Sequence, residues 1–143
     1  MNYKKWVYDD LSTYQYQKTA MVTIPEKLDA LREKAEAIRI ASYDSTHGGG
    51  PSAEELLAAN IAERQELEHN LRAARHHVRA VERALEALAA DERKAIEYCA
   101  LYPQSGGVRR LQEEIGYEKS QAYAIRDRAI HHMALLLHGR AEL

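Results

Sequence analysis

The chain is poor in the residues that extracellular, membrane or metal-binding proteins rely on. It has 143 residues, with one cysteine, three prolines, seven glycines and no phenylalanine. A single cysteine excludes an intrachain disulfide and any zinc site built on several cysteines, and it fits a reducing compartment. No run approaches the roughly 18 apolar residues of a membrane span, and the N-terminal MNYKKWVYDD lacks the apolar segment of a signal peptide. We therefore expect a cytoplasmic protein that does not contact membranes.

Patterns typical of an active site are also missing. There is no paired acid and base, no nucleophile motif and no cysteine or histidine cluster with metal-ligand spacing. The glycine run in DSTHGGGPS is not followed by the GK[ST] of a phosphate loop. His76 and His77 are adjacent, as are His131 and His132, so on a helix each pair points about 100° apart and cannot share one metal. We expect these histidines to be solvated, or close to DNA if the chain binds it, and we expect no catalytic residue, metal or cofactor.

The abundant residues are helix formers, chiefly alanine, leucine, glutamate and arginine, whereas β-branched residues are sparse. This composition predicts an all-α protein. The formal net charge is -2, so no overall basic field draws the chain to nucleic acid. From Lys119 to Arg140, however, four lysines and arginines stand against one aspartate, which makes this segment locally basic.

The first 88 residues have the pattern of a helical scaffold. A first helix is predicted over residues 3–22, with Trp6 packing on a neighbouring helix, and Pro25 is expected to break it. A second helix should run to about Ser42, followed by a glycine-rich loop over residues 44–52 that cannot continue a helix. The second helix carries an apolar seam at a spacing of three and four residues: Leu28, Leu31, Ala35 and Ile38. An N-terminal helical hairpin or coiled coil follows from this pattern.

A long third helix is predicted from Ser52, as its N-cap, to Leu88. Its 3-4 seam is uninterrupted: Leu57, Asn60, Arg64, Leu67, Leu71, Ala74, Val78, Val81, Leu85 and Leu88. At about 1.5 Å per residue the helix is roughly 55 Å long, too long for the second helix to cover. Because the polar seam residues Asn60 and Arg64 resemble those that fix register in coiled coils, a homo-oligomer through residues 52–88 is plausible.

The C-terminal residues, 89–143, predict three shorter helices. The first begins with Asp91 as its cap and ends before Pro103 and the Gly106-Gly107 pair. The second covers residues 108–115, with Gly116 as a left-handed C-terminal residue and Tyr117 packing back onto the core. The last begins near Lys119 and ends at Gly139. Its inward positions are predicted to be Ala122, Ile125, Ala129, Met133 and Leu136.

This layout is that of a helix-turn-helix, in which the second helix enters the major groove of DNA. The polar side chains predicted to face outward there suit base edges and phosphates, and two arginines of the preceding helix could hold the DNA backbone. The candidate DNA-binding residues are Arg109, Arg110, Lys119, Ser120, Gln121, Tyr123, Arg126 and Arg128. An ordinary helical hairpin with a solvated outer face explains the same periodicity equally well.

The segments LAADERKAIEY and VRRLQEEIGYEKSQAYAIRDRAI resemble the C-terminal helix-turn-helix of phage-encoded transcriptional regulators of the ArpU, RinA and DUF1492 type, which are themselves similar to region 4 of bacterial sigma factors. The upstream segments MNYKKWVYDDL, IPEKLDALREK and ELLAANIAERQELEHNL are similar to their N-terminal half. The most specific stretch is Gly116 to Ser120 with Tyr123, Ala129 and Ile130. At position 124 this chain has alanine, where such proteins often have a basic residue.

The resemblance implies a non-enzymatic regulator in a bacterial cytoplasm that binds double-stranded DNA and engages RNA polymerase to control late phage or prophage genes. Residues 1–88 would be its helical scaffold and residues 89–143 its DNA-binding domain. Two alternatives fit the same sequence. One is a helical adapter that binds a protein partner, such as RNA polymerase, and the other is a DNA-recognition subunit of a phage packaging machine.

Overall fold

The structure is a computed structural model that describes residues 2–44, 50–102, 106–116 and 118–140. Within them the chain is helical and contains no strand, so the predicted all-α class is confirmed. The helices are α1 (Tyr3–Asp44), α2 (Ala53–Ala87), α3 (Ala90–Ile96), α4 (Gly107–Ile115) and α5 (Lys119–His138). A single π-helical turn, Glu97–Leu101, extends α3, and its wider loop is closed by Tyr102 N–H donating to Glu97 O at 2.8 Å.

The chain forms two compact units, one made of Met1–Gln17 with His76–Leu143 and the other of Lys18–Arg75. Helices α1 and α2 each contribute residues to both units. The predicted functional division at residue 88 remains a prediction. Tyr117, Pro103 and most of the glycine-rich loop lie outside the described residues, and so does the predicted packing of Tyr117.

The break predicted at Pro25 is wrong, because α1 continues through this residue to Asp44. Proline has no N–H to donate to the carbonyl of Met21 and usually costs about 3 kcal/mol inside a helix. Ile24 and Leu28 lie on either side of Pro25, one turn apart, and both are buried with Leu71 of α2. Burying two large side chains on one continuous face, at about 1.5–3 kcal/mol each, offsets the cost of the proline.

The unit Lys18–Arg75 pairs part of α1 with part of α2. Ile24 and Leu28 cluster with Leu71, whereas the carbonyl of Leu31 accepts a hydrogen bond from Asn60 Nδ2 at 2.8 Å. Residues later in α1 therefore contact residues earlier in α2, so these two segments run antiparallel. Asn60 is only 5% exposed, and its Oδ1 accepts a bond from Arg64 Nε at 2.9 Å. Both polar seam residues thus find partners within one chain, and the homo-oligomer stays a prediction.

Helix α2 agrees closely with its predicted bounds. It begins at Ala53, and Ser52 Oγ accepts a hydrogen bond from Glu55 N–H at 3.2 Å, which confirms the predicted cap. Helix α3 differs from its prediction, because it begins at Ala90 after Ala89 and its cap makes no side-chain bond. Asp91 lies inside the first turn instead, where its Oδ1 accepts the N–H of Glu92 and its Oδ2 binds Arg128.

The other unit holds residues 3–17 of α1 against α2 and α5 through polar as well as apolar contacts. Trp6 packs 5.4 Å from the ring of His138, as predicted for a neighbouring helix. The His138 Nε2 lies 2.6 Å from Asp10 Oδ2, and His77 Nε2–H donates to the Asp10 carbonyl at 3.0 Å. His132 is engaged similarly with Glu92. His77 therefore does not point freely into solvent, because its helix face turns toward α1, whereas 42% of the His132 side chain remains exposed.

Replacing Pro25 with alanine should stabilise the protein. The substitution restores an N–H for the Met21 carbonyl, and we expect the free energy of unfolding to rise by about 1–3 kcal/mol, measured by urea denaturation. Glu26→Ala, at an exposed position one residue away, is the matched control and should change it by less than about 0.5 kcal/mol. A loss of stability in Pro25→Ala would mean that α1 requires the proline.

Candidate nucleic-acid interface

A short glycine connection joins α4 to α5. Gly116 has φ 76°, a left-handed conformation that favours glycine, and its N–H donates to Gln112 O at 2.8 Å. Helix α4 ends at Ile115, and α5 begins at Lys119. Both the end of α4 at Ile115 and the left-handed Gly116 agree with the sequence prediction. Gly116 therefore ends α4 three residues before α5 begins.

The start of α5 is closed by a reciprocal cap. The Glu118 side chain accepts a hydrogen bond from Gln121 N–H, while Gln121 Oε1 accepts one from Glu118 N–H at 3.2 Å. Gln121 was predicted only as a reader of DNA. Its carbonyl oxygen is committed to the cap, whereas its amide NH₂ group keeps two donors for another partner. The sequence signal for this cap is the three-residue spacing of Glu118 and Gln121, but it is a weak one because glutamate is an unusual cap residue.

One face of α5 is buried and fixes the orientation of the helix. Helix α5 contacts both α3 and α4. Its buried residues are Ala122, Ile125, Ala129, Ile130, Met133 and Ala134. The prediction is confirmed for Ala122, Ile125, Ala129 and Met133 but is wrong for Leu136, which is 48% exposed. The buried stripe instead includes Ile130 and Ala134, each next to a predicted position, so it is wider than a single seam.

Opposite this buried face, the first two turns of α5 are open to solvent. Lys119, Ser120, Gln121 and Tyr123 are all exposed, and so is Ala124. The lysine ammonium lies 5.9 Å from the centre of the Tyr123 ring. Four predicted site residues are thus brought together on one exposed surface. Asp91, Gln121, Ala124, Ile125 and Arg128 line a shallow hollow of about 280 Å³ beside them, and the small Ala124 leaves that space open.

Arg126 lies partly beneath this surface, with 29% of its side chain exposed. Its guanidinium is 4.7 Å from the centre of the Tyr123 ring and 3.1 Å from Asp127 Oδ1. Burial raises the pKa of the Cys99 thiol, and the Arg126 cation opposes that rise. The pKa of Tyr8 is also raised by burial, again against the effect of Arg126. Arg126 is therefore both a candidate phosphate ligand and part of the packing around α1 and the π-helical turn.

Arg128 is held by acidic residues of α3. Its NH2 lies 3.0 Å from Asp91 Oδ2 and its Nε lies 3.9 Å from Glu92 Oε1. Glu92 is only 5% exposed, and its second carboxylate oxygen is 2.5 Å from His132 Nδ1. This network joins α3 to α5 and neutralises much of the charge that Arg128 would offer to a phosphate.

The two arginines of α4 make their contacts within α4 and with the π-helical turn. Arg109 has 89% of its side chain exposed and pairs with Glu113 at 3.6 Å. Arg110 stacks over Tyr98 with its guanidinium 4.8 Å from the ring centre. Exposed ion pairs of this kind contribute little, so Arg109 remains available to an anion. Sequence reasoning missed Glu92 and Tyr98, because their partners lie far away along the chain.

Within the described residues, no three histidine, cysteine, aspartate or glutamate side chains are placed to bind a metal. No helix in the same part of the chain is long and apolar enough to span a membrane. Comparisons with protein-family models, curated proteins and solved structures found no match to this chain. The resemblance to phage regulators stays a prediction from the sequence.

Glu92→Gln keeps the size and shape of the side chain but should destabilise the protein. The substitution removes the buried charge that faces Arg128 and His132, and we expect the free energy of unfolding to fall by about 1–3 kcal/mol in urea denaturation. Glu113→Gln makes the same chemical change in the exposed pair with Arg109 and should cost less than about 1 kcal/mol. Equal effects in the two variants would contradict the structural role assigned to Glu92.

The reactivity of Cys99 provides a test of the position of Arg126. Burial raises the thiol pKa, so the rate of alkylation by iodoacetamide should have its midpoint at a higher pH than the rate for a free cysteine peptide. Arg126→Ala removes the cation that opposes this rise, and the midpoint should move to a still higher pH. Arg109→Ala, at an exposed site, should leave it unchanged. A downward movement in Arg126→Ala would show that the cation is not beside the thiol.

Proposed function

We propose that this protein is a sequence-specific DNA-binding transcriptional regulator of phage or prophage late genes. In this proposal α4, the glycine connection and α5 act as a sigma region 4-like helix-turn-helix, and the start of α5 enters the major groove. The protein would act in the cytoplasm of a bacterial host, without enzymatic activity. Its contact with RNA polymerase rests on the resemblance to phage regulators alone.

The observation that best supports the proposal is the division of α5 into two faces. Ala122 and Ile125 are buried. Lys119 and Ser120, which precede them, and Tyr123, which lies between them, are exposed. A recognition helix needs this division, because its inner face must be held rigidly while its first turns reach base edges. The exposed side chains include hydroxyl, amide and ammonium groups that can bond base edges and phosphates.

The charges around α5 limit which residues can contribute. Arg128 is paired with Asp91, and Arg126 with Asp127. Lys119 forms no ion pair among the described residues, and Arg109 has only an exposed partner one turn away. Lys119 and Arg109 are therefore the stronger phosphate ligands in this proposal. To reach a phosphate, Arg126 would have to leave Asp127 and the Tyr123 ring, and Arg128 would have to leave two carboxylates.

Lys119→Ala should weaken binding to promoter DNA from the protein's own genomic neighbourhood, measured by mobility shift. Removing one phosphate contact should reduce the slope of log K against log salt by about 0.9. Arg126→Ala should weaken binding as well and reduce the slope if its guanidinium meets phosphate. Lys27→Ala, at an exposed position in the other unit, is the charge-matched control and should leave the slope unchanged. If neither variant changes binding, α5 is not the DNA-binding element.

Gln121→Glu separates capping from DNA reading in the same assay. A glutamate oxygen can still accept the Glu118 N–H, so thermal stability should be nearly unchanged. The variant loses the amide donors and places a negative charge among the DNA contacts, so affinity should fall at least about tenfold, or 1.4 kcal/mol. Full DNA affinity in Gln121→Glu would remove this side chain from the interface.

A further inference from the structure

The hollow beside the first turns of α5, which we call the Ala124 hollow, combines apolar and polar groups in one lining. Its volume is about 280 Å³, and its lining residues are Asp91, Gln121, Ala124, Ile125 and Arg128. Positions 124 and 125 of α5 each lie three or four residues from positions 121 and 128, so the four share one face of the helix. Asp91 comes from the first turn of α3. The hollow is therefore formed where α3 meets the exposed start of α5.

The floor of the Ala124 hollow is apolar. Ala124 is exposed, whereas Ile125 is only 6% exposed and belongs to the buried face of α5. A longer side chain at position 124 would occupy part of the space that alanine leaves open. In the major groove of DNA the apolar group is the C5 methyl of thymine, and alanine is among the side chains that contact it. The floor therefore matches thymine.

The polar part of the lining offers one donor and one acceptor. Because Gln121 Oε1 accepts the Glu118 N–H at 3.2 Å, the amide NH₂ group is the end that keeps two free donors. The Asp91 carboxylate accepts one bond from Glu92 N–H and one from Arg128 Nη2. A carboxylate has about four acceptor positions, so about two remain. Thymine O4 requires a donor, and the N6 amino group of adenine requires an acceptor.

We propose that the Ala124 hollow reads a thymine·adenine base pair. The thymine methyl packs on Ala124 and Ile125. The thymine O4 accepts a hydrogen bond from the Gln121 amide, and the amino group of the paired adenine donates one to Asp91. This inference rests on the proposed function, because it requires the start of α5 to lie in the major groove.

Other parts of DNA fit this hollow less well. A phosphate would meet the Asp91 carboxylate, and the cation of the lining, Arg128, is already paired with Asp91 and Glu92. A guanine bound by Arg128 would compete with the same two carboxylates. A cytosine·guanine pair has no methyl group, so it would leave the apolar floor without a partner.

The test begins with a duplex selected from a random pool for tight binding to the full wild-type chain. Each thymine of the selected site is then replaced by uracil, which removes only the C5 methyl. At one thymine we expect the dissociation constant, measured by mobility shift, to rise about fourfold, as loss of one buried methyl group predicts. If no uracil weakens binding, the proposal is overturned.

Variants at position 124 locate that methyl. Ala124→Gly removes the protein methyl, so the ratio of the dissociation constants for uracil and thymine should fall from about four toward one. Ala124→Lys keeps a good helix former but fills the hollow, and it should have the same effect. Because the ratio is taken within each variant, an overall loss of affinity cancels. Ala73→Gly, at an exposed position of α2, is the matched control and should leave the ratio unchanged. An unchanged ratio in both variants at position 124 would overturn the assignment.

The adenine contact has its own readout. Replacing the paired adenine with purine removes only the amino group, and it should weaken binding of the wild-type chain about fivefold. Asp91→Ala should be insensitive to this replacement, whereas Asp29→Ala, which removes an exposed aspartate of α1, should be as sensitive as the wild-type chain. Full sensitivity in Asp91→Ala would show that the carboxylate does not receive the amino group.

Failure of this inference is distinguishable from failure of the proposed function. If the selection enriches no sequence, α5 is not a reader of DNA, and both proposals are overturned. If a sequence is enriched and Lys119→Ala weakens its binding, but no uracil has an effect, the proposed function stands and only the role of the Ala124 hollow is wrong. A guanine preference that is lost in Arg128→Ala, again without an effect of uracil, would assign the reading to Arg128 and overturn the inference.

Discussion

The buried face of α5 is the constraint on which the surfaces of this protein depend. Ala122, Ala129 and Ala134 are fully buried, and their small side chains allow neighbouring backbones to approach closely. Ile125 and Met133 fill the remaining space. Because this face must point inward, every other position of the helix has its direction fixed. The polar first turns and the exposed leucines near its end are consequences of the same packing.

Local features of the fold were predictable from the sequence, and features that depend on distant residues were not. Ser52, Gly116 and Gly139 act within one helical turn, so their side chain or backbone preference was sufficient to place helix ends. Pro25 misled because its local preference was outweighed by burial of Ile24 and Leu28 against α2. Asp91 misled for a similar reason, since its side chain binds Arg128, 37 residues away, instead of capping α3.

The candidate interface shows the same limit. Spacing predicted which residues of α5 are exposed, and it did so correctly for Lys119, Ser120, Gln121 and Tyr123. It could not predict which of the polar side chains are engaged within the chain. The pairing of Arg128 with α3 follows only from the folded arrangement. The cap that Gln121 makes is local, but it begins at glutamate, an unusual cap residue.

These intrachain contacts bear on how strongly such a surface could hold DNA. Because Arg128 is paired with Asp91 and position 124 is alanine instead of a basic residue, few cations remain near the start of α5. With three phosphate contacts, the slope of log K against log salt would be only about -3. A strongly electrostatic repressor has a much steeper slope of about -10. Affinity would then have to come from base-edge contacts or from a partner that increases the effective concentration at the promoter.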